Sequence, residues 1–240
     1  MVALEGISVQ VVILAGGFGT RLAEETDVIP KPMVGIGGTP ILVHIMNYYS
    51  SFGHTEFLIA LGYKADVIRQ YFSDNPRPDL SIELIDTGLE TSTGGRVKFL
   101  EPLLDQEFML TYGDGLSNVN INELVDYHKK LDRIATVTAV RPPARFGTIE
   151  ISNGMVTKFA EKDPQDSGWI NGGFFVCKKS LLNVIVDSNE SLESTPMRTL
   201  VEKGQLASYQ HNGWWQPMDT LRDKRTLESL WETGNPPWIR

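Results

Sequence analysis

Short apolar runs with strand character alternate along this chain with segments whose apolar residues recur every three or four positions. That alternation restricts the fold more than any other feature. Val9–Leu14, Glu56–Leu61, Ser81–Ile85, Glu107–Tyr112 and Ile134–Val140 read as strands; Pro40–Phe52, Lys64–Phe72 and Ile121–Leu131 read as helices. In the first of these helices Ile41, Ile45, Tyr48 and Phe52 fall on one side. Strands separated by helices pair in parallel and need cover on both faces, so the expectation is an α/β fold with a largely parallel sheet. After Val140 the texture changes. "FGTIEI" and "MVTKFAEK" read as two strands joined at Asn153-Gly154, residues that accept the positive φ angles of a tight turn. "INGGFFVC" is a further strand, and a last helix runs over about Thr220–Glu232 with Leu227, Leu230 and Trp231 on one side.

Composition matters chiefly for what it excludes. The net charge is −8 without a block of lysine or arginine, which argues against nucleic-acid and anionic-membrane partners. The apolar runs fall far short of the ~20 residues that span a bilayer. The first residues lack the basic end and apolar core of a secretory signal. Cys177 is the single cysteine, so no internal disulfide forms; within "GGFFVCKK" it reads as a small core residue, and a reducing cytoplasm is the expected location. His44, His54, His128 and His211 are scattered without metal-ligand spacing and read as packing or surface residues. A G-x-S-x-G serine elbow is absent.

The chemistry concentrates where the first strand breaks into glycine. Gly17-Phe18-Gly19 begins like a dinucleotide-binding turn, but Leu22 takes the third glycine position and no acidic residue follows ~20 positions later. The G-x-x-x-x-G-K-[ST] P-loop is also absent. What remains is a turn whose glycines let backbone N–H groups approach an anion. Arg21 offers a planar fork for phosphate oxygens, and Lys31 stands between Pro30 and Pro32, which hold the backbone extended and aim the ammonium.

"LAGGFGTRL" followed by "PKPM" resembles the signature of the sugar-phosphate nucleotidyltransferases, the nucleotide-sugar pyrophosphorylases. The resemblance implies a Rossmann-like, mostly parallel mixed sheet flanked by helices, with an added β-rich sugar-binding portion in the C-terminal half. It implies one domain over residues 1–240: about 9–140 the nucleotide-binding core, about 141–219 the sugar-binding wall, and 220–240 the C-terminal helix and tail. Members join a nucleoside triphosphate to a sugar 1-phosphate and release pyrophosphate with Mg²⁺. Leu14, Ala15, Gly16, Gly17, Gly19, Thr20, Arg21 and Lys31 are then expected to hold the triphosphate.

Such a reaction needs a divalent cation to offset crowded phosphate charge, and Mg²⁺ takes one or two carboxylates plus phosphate oxygens and water. Asp114, in "EFMLTYGDG", stands past the C-terminal end of a strand, where open α/β sheets bind ligands; a plain turn aspartate is the other reading. Asp219, in "WWQPMDTLRDK", is either a metal ligand or the N-cap of the last helix. That stretch resembles the glucose-1-phosphate cytidylyltransferase branch, where the matching aspartate helps bind the metal. "DTG" at Asp86–Gly88 and "TGGR" at Thr93–Arg96 resemble its base-recognising turn, which implicates Thr93, Gly94 and Arg96 in nucleotide binding. "RFG" ending at Gly147, Glu161-Lys162 and "INGGFFV" match the sugar side, which implicates Tyr112, Gly147, Glu161, Lys162, Asn171 and Gly172. Trp214, Trp215 and Trp231 are expected to pack rather than stack on ligand. The chain departs from the branch at Ile29, where a basic residue is usual, and in a shortened segment between Tyr71 and Ile85. CTP and a sugar 1-phosphate, foremost α-D-glucose 1-phosphate, are the implied substrates, with Arg21, Lys31, Asp114 and Asp219 as catalytic residues and a homo-oligomer as the implied assembly; a thymidylyl-, uridylyl- or guanylyltransferase on the same scaffold, or a non-catalytic nucleotide-sugar sensor, is the alternative. A metal-dependent glycosyltransferase would show D-x-D where this chain has Gly113-Asp114-Gly115.

Overall fold

A computed structural model describes residues 8–19, 29–142, 148–160 and 168–240. Seven strands form the main sheet in the order β12-β8-β11-β6-β1-β4-β5. These are β1 (Gln10–Leu14), β4 (Glu56–Leu61), β5 (Ser81–Asp86), β6 (Glu107–Tyr112), β8 (Ala135–Val140), β11 (Ile170–Lys178) and β12 (Leu206–His211). Every pairing is parallel except those of β11, which runs antiparallel to both β6 and β8. The reversal has a consequence for the site. Ile170 and Asn171 at the start of β11 pair with Val140 and Ala139 at the end of β8, so the "INGG" stretch reaches the edge where the parallel strands finish.

Helices α1 (Ile41–Ser50), α2 (Ala65–Asp74), α3 (Thr93–Phe99), α4 (Ile121–Leu131), α5 (Thr195–Glu202) and α6 (Leu221–Glu232) accompany the sheet. Along β1 the side chains alternate between two cores. Val11 and Ile13 join Ile41, Ile45, Phe57 and Leu227 on one face, while Val12 and Leu14 join Val97, Leu100, Leu110 and Phe175 on the other. Burial on both faces is why β1 reads as a continuous apolar run rather than an alternating one. Cys177 lies in the second core, and burial pushes its thiol pKa up, away from reactivity.

Three two-stranded ribbons complete the chain: β2 (Gly35–Ile36) with β3 (Thr39–Pro40), β7 (Gly115–Ser117) with β13 (Trp215–Pro217), and β9 (Thr148–Ser152) with β10 (Met155–Ala160). Asn153 and Gly154 both take positive φ between β9 and β10, as their sequence requires. The short connection from α2 to β5 is closed by Arg77, which donates to both Asp79 carboxylate oxygens and to Asn47 Oδ1. The tryptophans pack as expected. Trp214 stacks on Trp238 with ring centroids 5.3 Å apart, and Trp231 meets His44 edge-on. Three of the four histidines, His44, His54 and His128, are buried. Among the described residues no helix is long and apolar enough to cross a membrane.

Two elements differ from the sequence expectation. "TGGR" opens α3 rather than forming a turn. Lys31–Met33 is a single 3-10 turn, flanked by extended Pro30 (φ −69°, ψ 148°) and Val34. Pro32 fits because the first helical turn needs no N–H donor at its position, and Val34 N–H closes the turn onto Lys31 O at 3.1 Å.

Candidate active site

In the sheet order β1 lies between β4 and β6, and the chain leaves β1 for one side and returns on the other. A cleft of about 510 Å³ opens at that reversal. Open α/β sheets bind ligands at this position, where the loops after neighbouring strands diverge. Its walls come from Leu14–Gly19 after β1, Leu89–Thr93 and Arg96 around the start of α3, and Tyr112–Asp114 after β6. Lys31, Pro32, Ser191 and Asp219 complete it.

Asp114 and Asp219 meet through the β7–β13 ribbon. Gly115 pairs with Pro217, and Met218 N–H donates to Asp114 O at 2.9 Å. Lys31 Nζ reaches Asp114 Oδ2 and Asp219 Oδ1 at 2.7 Å each. The lysine is 8% exposed. Burial acts to lower its pKa, but the carboxylates outweigh burial and hold it above the ordinary lysine value. Asp219 is not the N-cap of α6. Thr220 is, in a reciprocal capping box with Asp223, and Asp223 Oδ2 also accepts from Asp219 N–H. Capping therefore orients Asp219 without using its carboxylate as the cap.

The glycine-rich loop is held from below by Arg96. Its guanidinium donates to Gly16 O at 3.0 Å, and to Leu61 O, Thr87 Oγ1, Gly88 O and Leu89 O. A β-carbon on Gly16 would lie 2.3 Å from Arg96 Nη1, so this glycine is required by the packed arginine as well as by any anion above it. Gly94 does not line the cleft. Its β-carbon position and that of Gly95 face backbone, 2.5 Å from Glu190 O and 1.8 Å from Ser188 O. These glycines let the 188–190 segment pack closely on α3.

On the far wall, Gly172 O accepts from Trp215 Nε1 at 2.7 Å, and Gly173 takes φ +82° against the Tyr112 ring. Asn171 Nδ2 donates to Tyr112 Oη at 3.2 Å. Burial and the neighbouring Glu193 carboxylate push the Tyr112 phenol pKa up. Leu14, Ala15, Gly16, Gly17, Gly19, Lys31, Thr93, Arg96, Tyr112, Asp114 and Asp219 thus share one cleft, with Asn171 and Gly172 beside it. Thr20, Arg21, Gly147, Glu161 and Lys162 lie outside the described residues. Sequence reasoning missed Ser191 and Glu193, whose side chains bond to Thr93 and each other. The signal available for that segment was the Gly94-Gly95 pair, which marks a close backbone approach.

Comparison with known proteins agrees with this architecture. The family model described as nucleotidyl transferase matches residues 10–233. Glucose-1-phosphate cytidylyltransferase of Salmonella typhi is 45% identical over 250 residues, covering 95% of this chain and 97% of its own. The probable glucose-1-phosphate cytidylyltransferase of Bacillus subtilis is 38% identical over 249 residues, covering 95% and 98%. Among solved structures, HddC from Yersinia pseudotuberculosis superposes with a TM-score of 0.75 at 25% identity, covering 93% of this chain and 99% of that one. With an open, mostly parallel sheet, a glycine loop at its reversal point and relatives matching almost from end to end, this chain belongs to the nucleotidyl transferase family.

Proposed function

We propose that the protein transfers a cytidylyl group from CTP to α-D-glucose 1-phosphate, giving CDP-glucose and pyrophosphate. The observation that carries this reading is the Asp114–Lys31–Asp219 cluster on the floor of the cleft. The base and the sugar are supported by the 45% identical relative of that name. A phosphate oxygen of the sugar 1-phosphate attacks the α-phosphorus of CTP. The new O–P bond forms as the bond to the bridging oxygen breaks, and pyrophosphate leaves with that electron pair. The attacking oxygen is already ionised, so no protein nucleophile or base is required, and catalysis consists of positioning and charge stabilisation. Leu14–Gly19 holds the triphosphate, with Thr20 and Arg21 in the same role. Gly147, Glu161, Lys162, Asn171, Gly172 and Tyr112 receive the sugar phosphate.

Two carboxylates that accept from one ammonium at 2.7 Å are close enough to share a cation. Among the described residues no group of three or more His, Cys, Asp or Glu could hold a metal by itself. Two carboxylates suit Mg²⁺, which completes its shell with phosphate oxygens and water. Asp114 and Asp219 would hold it, and when bound it neutralises phosphate charge and fixes the reacting groups in line. Lys31, on the cleft wall beside both carboxylates, would offer its charge to the triphosphate. Assembly as a homo-oligomer belongs to the same reading, supported by Ile151, Met155 and Val156 exposed on the β9–β10 hairpin.

The test is pyrophosphate release from five nucleoside triphosphates against several sugar 1-phosphates, with and without Mg²⁺. Release is expected with CTP and glucose 1-phosphate and requires the metal. Release with another triphosphate alone would overturn the base assignment, and no release in any combination would favour a non-catalytic nucleotide-sugar sensor.

A further inference from the structure

Beside the cleft a line of hydrogen bonds has its direction forced at both ends. At one end Gly173 N–H donates to Asn171 Oδ1 at 2.8 Å. A backbone N–H only donates, so this contact identifies the amide oxygen and leaves Nδ2 facing Tyr112 Oη at 3.2 Å. Tyr112 Oη therefore accepts from Asn171, and its own hydrogen goes to Glu193 Oε1. At the other end Glu193 is a carboxylate, which only accepts. Its Oε2 takes hydrogens from Thr93 Oγ1 at 2.6 Å and from Ser191 Oγ. Burial alone would raise its pKa, but the bonds from Ser191, Thr93 and Tyr112 hold it below the ordinary glutamate value, so it stays charged near neutral pH.

We propose that Glu193 is a positioning residue for the sugar 1-phosphate, acting through Tyr112 to keep Asn171 turned as a donor. With Oδ1 held by Gly173 and one Nδ2 hydrogen on Tyr112, the second Nδ2 hydrogen has no acceptor among the described residues. Asn171 is exposed at the cleft edge. That hydrogen suits a sugar hydroxyl oxygen. Without Glu193 the Tyr112 hydroxyl is free to turn its hydrogen toward the amide, and Asn171 loses its fixed presentation. Thr93 keeps a second bond, as acceptor from Leu192 N–H at 2.9 Å, so the nucleotide wall is less dependent on Glu193. The inference rests on the sugar 1-phosphate reading of the site above.

Steady-state kinetics with CTP, glucose 1-phosphate and Mg²⁺ test it on the full chain. Glu193→Met, which fills similar space but accepts nothing, is expected to raise KM for glucose 1-phosphate about tenfold, the scale of one well-placed hydrogen bond. KM for CTP should move less than about threefold. Glu193→Gln keeps an oxygen for Tyr112 and should restore most of the sugar KM. Tyr112→Phe should raise the sugar KM as Glu193→Met does, and the double variant should be little worse than either single one. An unchanged sugar KM in Glu193→Met would overturn the proposal, as would an equal rise in both KM values or a Gln variant as impaired as Met. If Glu193→Met does not fold, Tyr112→Phe with unchanged sugar KM overturns it instead. Wild-type enzyme that does not use glucose 1-phosphate would sink the functional reading and this inference together, whereas an active wild type with silent variants refutes the inference alone.

Discussion

Replacing Lys31 with methionine removes the ammonium that bridges Asp114 and Asp219 while keeping the length of the side chain. At 2.7 Å and an effective permittivity near 20, each Lys–Asp pair carries about 6 kcal/mol of raw Coulomb attraction. Desolvation of the buried ammonium cancels most of it. Breaking a fully buried pair by removing one partner costs about 3–5 kcal/mol. Here the Asp114 and Asp219 side chains are 33% and 28% exposed, so water recovers part of that and about 2 kcal/mol remains. In a chain of this size the loss corresponds to a Tm about 4–8 °C lower. Activity should fall further, by about 10²–10³ in kcat, the scale of losing one preorganised charge at a phosphoryl centre. Melting in the presence of Mg²⁺ separates the two roles. Without the competing ammonium the carboxylates bind the cation in the absence of nucleotide, so Mg²⁺ should raise the Tm of the variant by several degrees and that of the wild type by less. A variant that melts within a degree of wild type and turns over within threefold of it would refute both the charge cluster and the role of Lys31.

Asp114→Asn and Asp219→Asn should each lower kcat by about 10²–10³ with unchanged circular dichroism; wild-type turnover in either would remove it from the metal site. Gly95→Ala forces a methyl into the Ser188 carbonyl, 1.8 Å away, and should cost 3 kcal/mol or so by denaturant titration, whereas Gly17→Ala meets nothing within 4 Å among the described residues and should leave stability near wild type. His128 is buried and its pKa is lowered to about 4, chiefly by desolvation. The unfolded chain then binds a proton that the folded chain refuses between pH 6.5 and 4, so stability should fall as pH drops through that window, by roughly 3 kcal/mol from this group. Acid titration of His128→Asn should show a shallower fall, and an identical slope would contradict the assignment.

Much of the architecture is readable from local pattern because local physics sets it. Val11 to Leu14 form a buried strand whichever strands flank them, and Asn153-Gly154 adopts its positive φ angles without help from distant residues. The glycine-rich turn after β1 is likewise legible locally, whereas Lys31–Met33 turned out to be a 3-10 turn instead of the extended segment its prolines suggest. Where one residue admitted two readings, the geometry chose between them. Asp219 and Thr220 are both good N-caps by residue type, and the position of Asp223 three residues after Thr220 selects Thr220. Gly94 and Gly95 admit a close backbone approach, and the 188–190 segment lies at their β-carbon positions.

The sequence by itself determined the α/β class, the glycine loop after the first strand and which charged residues were candidates for the site. Only the tertiary structure decided which of them meet. Lys31, Asp114 and Asp219 converge because β7 and β13 pair and because the sheet reverses beside β1, and those pairings join residues too far apart for any local pattern to link. Glu193 reaches Tyr112 and Thr93 for the same reason: β11 runs antiparallel, carrying Asn171 to the cleft while the following segment folds onto α3. A side chain's type records what it can bond to, and the packing of distant elements decides what it does bond to.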